Sequence, residues 1–495
     1  MSTLSQKVAL NATALGAGRL LLAAVGVVSV GVSARYLGVD DFGALVTATA
    51  FLALVVGLTD LGLATIGVRE LAKRPGETKR IVGSLLVLVF GLSTAGLVLG
   101  MLLMLLIFAG DDQAHLREGI ALLLLMSWPL TAPAAVIGCY FTAQQKAYLG
   151  TLASVVGAVL TVGLLIVVIQ LDGGFLGIVV AYGATGIGYG LTMLMLSIGR
   201  IRLRPSLDLA HAWQLLRWAA PLGAAVLMGS IYWNIDIILL SHLGDHADVA
   251  LYGVAVKVVG ILLLLPGYVM ITLLPEFARV AERRERLDEV MGKAFAVVQV
   301  GAIPLLVLSV VFADEIVQTV GGQTYAGSAA LLRILMIGVA LAYVSVVIAQ
   351  GIIALNGQKQ LFYGALIILP VNIALNLALI PIWGARGSAI AFVASEVASL
   401  ATWLFVYSRM ATLPRIYRFW ALVVAGGATA SVGLVKLLPF ATATNAPLVL
   451  ALGGLVGLGV YAGALYALKA MPREVHTAIV LPLWTKLKLR PLRRS

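Results

Sequence analysis

Apolar segments long enough to cross a bilayer follow one another along most of the sequence, and this succession restricts the chain to few folds. A helix needs about 20 apolar residues to cross the hydrocarbon core, where every backbone polar group has to be satisfied inside a helix or a closed barrel. The fourteen segments lie at 10–36, 43–67, 80–109, 118–142, 148–170, 175–198, 218–241, 249–274, 294–316, 328–353, 361–381, 387–409, 419–438 and 446–468. The sequence therefore predicts an all-α integral membrane protein with about fourteen transmembrane helices.

The composition agrees with this class and excludes several others. Of the 495 residues, 61% are hydrophobic and only 11% are charged, far from the balance of a soluble domain. Cys139 is the single cysteine, which excludes an internal disulfide framework, and the five histidines show no ligand spacing except the close pair His242 and His246, which we interpret as solvated loop residues rather than a metal site. We therefore expect neither a metal nor another cofactor. No P-loop occurs, so we expect no activity that is driven by ATP.

The connections between the segments alternate in charge. Lys and Arg concentrate in one set, as at 69–80 and 200–217, whereas the other set is mostly acidic, as at 40–41 and 111–112. Positively charged connections stay in the cytoplasm, so both termini are predicted to be cytoplasmic in a multi-pass protein of the cytoplasmic membrane. The basic tail at 486–494 agrees with this orientation, and membrane lipids are expected partners. The net charge of +12 follows this alternation, so we expect no nucleic-acid partner.

The chain repeats itself with a shift of 210 positions. An acidic turn leads into an aromatic residue and Gly43, and again into Gly253, while Gly387 follows Gly177 by the same shift. Two halves of six helices enter the membrane from the same side, which predicts two bundles related by a pseudo-twofold axis, with a cavity between them. The predicted parts are an N-terminal lobe, a C-terminal lobe, and helices 13 and 14 with the basic tail, at 1–205, 206–412 and 413–495.

The connection between the two halves carries its own pattern. Residues 208–218 are moderately amphipathic and follow the basic segment 200–204. This arrangement is typical of a helix that lies in the interface with its apolar side against the lipid. We expect a separate interfacial helix there, at the cytoplasmic face, before the spanning helix that begins near residue 218.

Three short motifs stand in a fixed order along the chain. They are the turn Ala34–Gly43, the sequence Asp60-Leu-Gly-Leu63 followed by Arg69-Glu70, and the run from Pro221 through Asp236 to Lys257. In this order they resemble the polysaccharide transporter branch of the multidrug/oligosaccharidyl-lipid/polysaccharide (MOP) exporter superfamily. The resemblance covers nearly the whole chain, and it implies a V-shaped pair of bundles that works by alternating access.

The same resemblance implies an activity and its partners. The implied activity is that of a flippase, which moves a polyprenyl-diphosphate-linked oligosaccharide, or a related sugar-lipid, between the leaflets for cell-surface polysaccharide assembly. The implied partners are this lipid-linked oligosaccharide and other proteins of polysaccharide assembly. A coupling cation, H⁺ or Na⁺, is a further partner that the sequence leaves open.

Asp236 and Lys257 are ionisable residues inside apolar runs, on either side of an acidic turn. A charge at membrane depth costs several kcal/mol unless it faces a partner or a wet cavity. Both residues lie roughly 10–12 Å below the turn at a helical rise of about 1.5 Å per residue, so we expect them to pair. Such a pair either aligns the two helices permanently or breaks upon protonation, ion binding or capture of an anionic substrate.

Other polar residues in the spans are further candidates for the wall of a cavity. Tyr232 lies one helical turn before Asp236, Asn372 and Asn376 form a polar stripe, and Glu396 lies midway along the twelfth segment. Such side chains either hydrogen-bond the hydroxyls of a sugar or join neighbouring helices to one another. The sequence leaves both roles open for each of them.

Two charged residues are expected near the cytoplasmic mouth. Arg19 lies in the cytoplasmic half of the first segment, where its planar guanidinium suits the oxygens of a diphosphate. Asp60 is expected to pair with a basic residue close by.

Two other functions compete with that of a flippase. One is a cation-coupled multidrug exporter of the same superfamily, although Lys257 within a span favours an anionic lipid as cargo. The other is a membrane glycosyltransferase or ligase that acts on polyprenyl-linked sugars. The acidic connections are short and carry no cluster of catalytic carboxylates, so we do not expect an enzyme.

Overall fold

The computed structural model describes residues 4–110, 113–201, 203–264, 266–267, 270, 277, 284–411, 427 and 446–467. Within these ranges the secondary structure is helical, with no strand. The α-helices are α1 (Leu4–Asp60), α2 (Leu63–Lys73), α3 (Thr78–Ile107), α4 (Ala114–Ala143), α5 (Tyr148–Gln170), α6 (Gly174–Ser197), α7 (Leu209–Leu243), α8 (His246–Leu262), α9 (Arg284–Val311), α10 (Ala313–Val320), α11 (Ser328–Ala354), α12 (Gln358–Met410) and α13 (Ala446–Ala467). Short 3₁₀ helices occupy Pro75–Glu77 and Gln323–Tyr325.

The predicted spans coincide with these helices. Thirteen of the fourteen segments fall on helical residues, the eighth only in part, and the remaining one, at 419–438, lies outside the described residues except for 427. In the described part of the chain, eight helices are long and apolar enough to cross a membrane, or nine if α4 counts as one bent span. This count takes Gly18–Lys73 and α12 as single spans, so the predicted total of fourteen stays a prediction. The predicted class, a multi-pass helical membrane protein, is confirmed.

Each of the two longest helices is broken at a glycine. Gly38 has a φ of 75° inside α1, and Gly384 has a φ of 55° inside α12. Glycine adopts this left-handed conformation without a steric penalty. Each long helix therefore holds two of the predicted spans, and the sequence places both breaks between the correct segments.

The repeat seen in the sequence is visible in the backbone. Gly174, at the start of α6, has a φ of 60°, and it precedes Gly384 by 210 positions. Gln145 after α4 and Asn356 after α11 have φ values of 60° and 61°. Residues other than glycine seldom adopt a positive φ, so its recurrence at nearly equivalent positions indicates that the two halves share local turn geometry.

One compact unit, called unit 1, comprises Met1–Val254, Val320–Tyr325 and Asn376–Ser388. In it α5 and α4 pack against α6, and α1 packs against α7. Small residues let these backbones approach closely. A Cβ at Gly43 would overlap the carbonyl of His246, and one at Gly253 would press on Val46, so α1 and α8 cross through the two equivalent glycines of the repeat.

The remaining residues, Ala255–Thr319, Ala326–Leu375 and Ala389–Ser495, form unit 2. Its helix α9 packs against α11 and α13. The hydroxyl of Tyr343 on α11 donates a hydrogen bond of 2.6 Å to the carbonyl oxygen of Leu262 on α8. The predicted division of the chain at residues 205 and 412 stays a prediction.

The segment 208–218, for which an interfacial helix is expected, does not form a helix of its own. These residues form the first turns of α7, which runs without a break from Leu209 to Leu243. Asp208 caps the helix by accepting a hydrogen bond from the amide of His211 (3.0 Å), and the His211 ring contacts the hydroxyl of Ser84 on α3 (2.9 Å). Leu215 packs in a core with α2 and α3. One side of these turns therefore packs against other helices of unit 1, while Leu209 and Trp213 stay exposed.

Candidate functional site around Asp236

Asp236 is buried on α7, and both of its carboxylate oxygens are occupied. Oδ1 accepts a hydrogen bond from the amide of Ile237 (2.9 Å), and Oδ2 accepts one from the hydroxyl of Tyr252 on α8 (2.5 Å). A buried polar group is expensive unless it is hydrogen-bonded, and these bonds satisfy that requirement. Asp236 thus finds its side-chain partner within unit 1, in a tyrosine that the sequence analysis had not selected.

The polar contacts continue from Tyr252 to the second half of the chain. The Tyr252 hydroxyl also interacts with that of Ser388, and Ser388 donates a hydrogen bond of 3.1 Å to the amide oxygen of Asn376. Tyr252, Ser388 and Asn376 are fully buried. These three residues and Asp236 are called the Asp236 cluster below. The cluster joins α7 and α8 to the two stretches of α12 on either side of its break.

The break in α12 is held in place from α8. A carboxylate oxygen of Asp248, in the first turn of α8, accepts a hydrogen bond from the amide of Ala385 (3.1 Å). The neighbouring Gly384 has no room for a side chain, because a Cβ there would overlap this carboxylate. The Asp248 contact therefore fixes the bend that brings Ser388 next to Asn376.

The other predicted residues of unit 1 lie outside this cluster. Tyr232 is partly exposed and stacks edge-on against Trp233, with ring centroids 5.7 Å apart. Arg19 is exposed on α1. Asp60 accepts a hydrogen bond from the amide of Ala64 (3.4 Å) at the start of α2. This contact joins α1 to α2 locally, and no basic side chain pairs with Asp60 among the described residues.

The remaining candidates belong to unit 2. Asn372 is buried on α12 and donates a hydrogen bond to the hydroxyl of Ser395 (3.1 Å). Glu396 is buried next to that serine, and Lys257 is exposed on α8. Asp236 and Lys257 thus fall in different units, and their pairing stays a prediction.

Tyr252 and Ser388 are the members of the cluster that sequence reasoning missed. Tyr252 stands directly before Gly253, where the repeat has Phe42 before Gly43. The aromatic residue followed by glycine therefore predicts only the start of a helix, with no role for the tyrosine hydroxyl. The change from phenylalanine to tyrosine adds a hydroxyl group at that position, and this difference between the two halves was the available signal.

A sequence model of the family described as polysaccharide biosynthesis protein matches residues 32–330. The chain belongs to this family. The polysaccharide-related family that the motifs predicted is thereby confirmed.

One curated relative is the probable flippase AglR of Haloferax volcanii. It is 26% identical over 248 residues, which make up 49% of this chain and 52% of the relative. The chain therefore matches about half the length of that relative.

Solved structures show the same fold at low sequence identity. Lipid II flippase MurJ in an inward closed conformation gives a TM-score of 0.73 at 15% identity, over 96% of this chain and 99% of that one. An inward-facing multidrug resistance MATE family transporter of the MOP superfamily gives 0.67 at 15%, over 78% and 94%. The MATE multidrug transporter DinF-BH gives 0.63 at 19%, over 82% and 96%. This chain therefore has the MOP exporter fold, as predicted.

Proposed function

We propose that this protein is a flippase that carries a polyprenyl-diphosphate-linked oligosaccharide, or a related sugar-lipid, across the cytoplasmic membrane for cell-surface polysaccharide assembly. The polysaccharide biosynthesis family match, which covers residues 32–330, carries this proposal. The partial match to a probable flippase and the fold shared with a lipid II flippase support it. The cargo would be an anionic lipid, for which Lys257 and Arg19 are the candidate cationic contacts.

The Asp236 cluster is the proposed coupling element of the transport cycle. Among the described residues of unit 1, Asp236 accepts hydrogen bonds from the Tyr252 hydroxyl and the Ile237 amide, and no cationic side chain is among these partners. The cluster offers carboxylate, amide and hydroxyl oxygens, the donors that hard cations prefer. Binding of H⁺ or Na⁺ would neutralise the carboxylate and replace or weaken its bond to Tyr252. Since this bond links α7 to α8, its loss would allow the two helices to move relative to each other.

Flipping by purified protein in vesicles tests both parts of the proposal. The assay follows a fluorescent polyprenyl-diphosphate sugar from one leaflet to the other, with and without a proton or sodium gradient. We expect Asp236→Asn to slow flipping at least about 10-fold, because the neutral amide cannot bind a cation as a carboxylate does. Asp245→Asn is the matched control, since Asp245 is exposed in the turn between α7 and α8.

The possible outcomes separate the activity from the coupling site. Wild-type rates in correctly inserted Asp236→Asn would remove the cluster from the mechanism but leave the flippase proposal intact. Failure of the wild-type protein to flip any sugar-lipid would reject the flippase proposal itself.

A cation-coupled multidrug exporter is the second candidate, and the fold shared with MATE transporters favours it. The same vesicles, loaded with a cationic dye, distinguish the two cargoes. Gradient-driven dye transport without flipping of sugar-lipid would identify an exporter. A new glycosidic bond on the sugar-lipid, detected by mass spectrometry, would instead identify a glycosyltransferase or ligase.

The proposed orientation places both termini and the basic connections in the cytoplasm. Single cysteines introduced at Lys146 and Asp245 in a Cys139→Ala background test it with a membrane-impermeant maleimide on intact cells. We expect labelling at position 245 and none at position 146 until the cells are opened. Labelling at position 146 and none at position 245 in intact cells would show that the orientation is opposite to the one proposed.

A further inference from the structure

A pocket of about 710 Å³ opens in unit 1 where α3 begins and α4 ends. Its volume falls within the range of small-ligand sites, roughly 300–1,000 Å³. The lining residues come from three connections at the same end of the helices: Pro75, Thr78, Lys79, Val82, Tyr140, Gln144, Gly199, Arg200 and Ile201. None of them belongs to the Asp236 cluster.

The charges that line this pocket are all positive. Lys79 and Arg200 are exposed, and neither makes an ion pair with a described residue. The neighbouring Arg74 and Arg80 differ in this respect, because they pair with nearby carboxylates. No acidic side chain is among the described residues that line the pocket. Two cations without a counter-charge on its wall make the pocket suited to an anion.

Neutral hydrogen-bonding groups complete the lining. Gln144 offers a side-chain amide, Thr78 donates its hydroxyl to the carbonyl oxygen of Pro75 (2.8 Å), and the hydroxyl of Tyr140 donates a hydrogen bond of 3.0 Å to the carbonyl oxygen of Arg200. This bond attaches the segment after α6 to the end of α4, and so positions Arg200 across the pocket from α3. A phosphate group accepts several hydrogen bonds at once, and charge-assisted ones from Arg and Lys are the strongest.

We propose that this pocket binds the phosphate or diphosphate of an anionic lipid headgroup. The pocket lies at the ends of α3, α4 and α6; α3 and α6 have the length and apolar composition of membrane spans, and α4 has them when its bent halves count as one span. Lipid phosphates lie at the same level as the ends of such helices, so the membrane surface presents them to this opening. A soluble diphosphate shares the chemistry and is the alternative source. The proposal is independent of the cargo and of the coupling site.

Binding is measured on the purified full-length protein with two probes. Inorganic pyrophosphate is titrated by calorimetry, and phosphatidylglycerol is compared with phosphatidylcholine by native mass spectrometry. We expect Lys79→Gln with Arg200→Gln to weaken binding of the anionic probe about 10-fold or more, since two charge-assisted contacts are lost. The conservative pair Lys79→Arg with Arg200→Lys should keep most of the affinity.

The matched control is Lys73→Gln with Lys146→Gln. These lysines are exposed on the same set of connections but do not line the pocket, so the control removes the same net charge. We expect its affinity to fall by less than about 2-fold. Equal losses in both double variants, or no binding of either probe to the wild-type protein, would overturn the proposal. Pocket-dependent binding of phosphatidylglycerol supports a lipid source, and pocket-dependent binding of pyrophosphate alone supports a soluble one.

Discussion

The hydroxyl of Tyr252 on α8 donates a hydrogen bond to Oδ2 of Asp236 on α7, across the turn that joins these helices. Both side chains are buried, so neither has water as a substitute partner. The bond therefore does two things at once. It makes a carboxylate tolerable inside the helix bundle. It also connects Asp236, through Tyr252 and Ser388, to α12 near its break.

Removal of the tyrosine hydroxyl should reveal how strongly the two residues are coupled. We expect Tyr252→Phe to lower the free energy of unfolding by about 1–3 kcal/mol, since a buried acceptor loses its donor. In a double-mutant cycle with Asp236→Asn, the two losses should not add. Additive losses in denaturant titrations of the four proteins would show that the bond contributes little.

The bend of α12 should tolerate no side chain at its glycine. We expect Gly384→Ala to destabilise the protein by more than about 1 kcal/mol, because the new Cβ would overlap the carboxylate of Asp248 and the φ is positive. Gly163→Ala in α5 is the control, since that position has open space around it. Its melting temperature should stay the same or rise, and equal melting temperatures for both variants would contradict the role of the bend.

Asp208 should make stability depend on pH in the acid range. The amide of His211 and the guanidinium of Arg80 hold the pKa of Asp208 below its usual value. A carboxyl whose pKa is lower in the folded state stabilises the protein above its unfolded pKa, and this contribution is lost as the pH falls through the folded pKa. We expect Asp208→Ala to melt at a slightly lower temperature than the wild type at pH 7. The difference between the two melting temperatures should become smaller below pH of about 4. A constant difference across that range would contradict this assignment.

Cys139 should resist labelling in the folded protein. It is buried in α4, and its thiol contacts the carbonyl oxygen of Ala64 on α2 (3.5 Å). We expect maleimide to modify it only after denaturation, whereas a cysteine placed at exposed Lys146 should react at once. Rapid labelling of Cys139 in native vesicles would show that α2 and α4 separate during the measurement.

The placement of the spans was readable from the sequence because it depends on local properties. Runs of apolar residues identified the helices, and the gap between 381 and 387 identified the break now seen at Gly384. The start of α7 was not readable in this way. Its amphipathic pattern has the same period whether the segment forms a helix of its own or the first turns of a longer one, and the unbroken backbone from Leu209 to Leu243 distinguishes the two.

Some residues of the candidate site were likewise predictable from the sequence, and others were not. Asp236 and Asn376 were found because polar groups within apolar runs are rare and demand an explanation. Their partners, Tyr252 and Ser388, are common residue types in helices, and the only sequence signal for either is the tyrosine at 252 where the other half of the repeat has Phe42. Asp60 was expected to find a basic partner, but it accepts a hydrogen bond from an amide four residues later. Whether Asp60 meets a distant charge or a nearby amide depends on the three-dimensional arrangement of the chain, which the sequence pattern does not specify.

The sequence by itself determined that the chain forms membrane-spanning helices, that its two halves repeat, and which polar residues lie inside the spans. Hydrophobic transfer and the need to satisfy backbone groups act on each segment separately, so a linear pattern is enough to specify them. The tertiary structure alone decided that Asp236 meets Tyr252, that Ser388 meets Asn376, and that Lys79 and Arg200 line one pocket. Hydrogen bonds require atoms about 3 Å apart, and only the packing of helices distant in the sequence brings such atoms together.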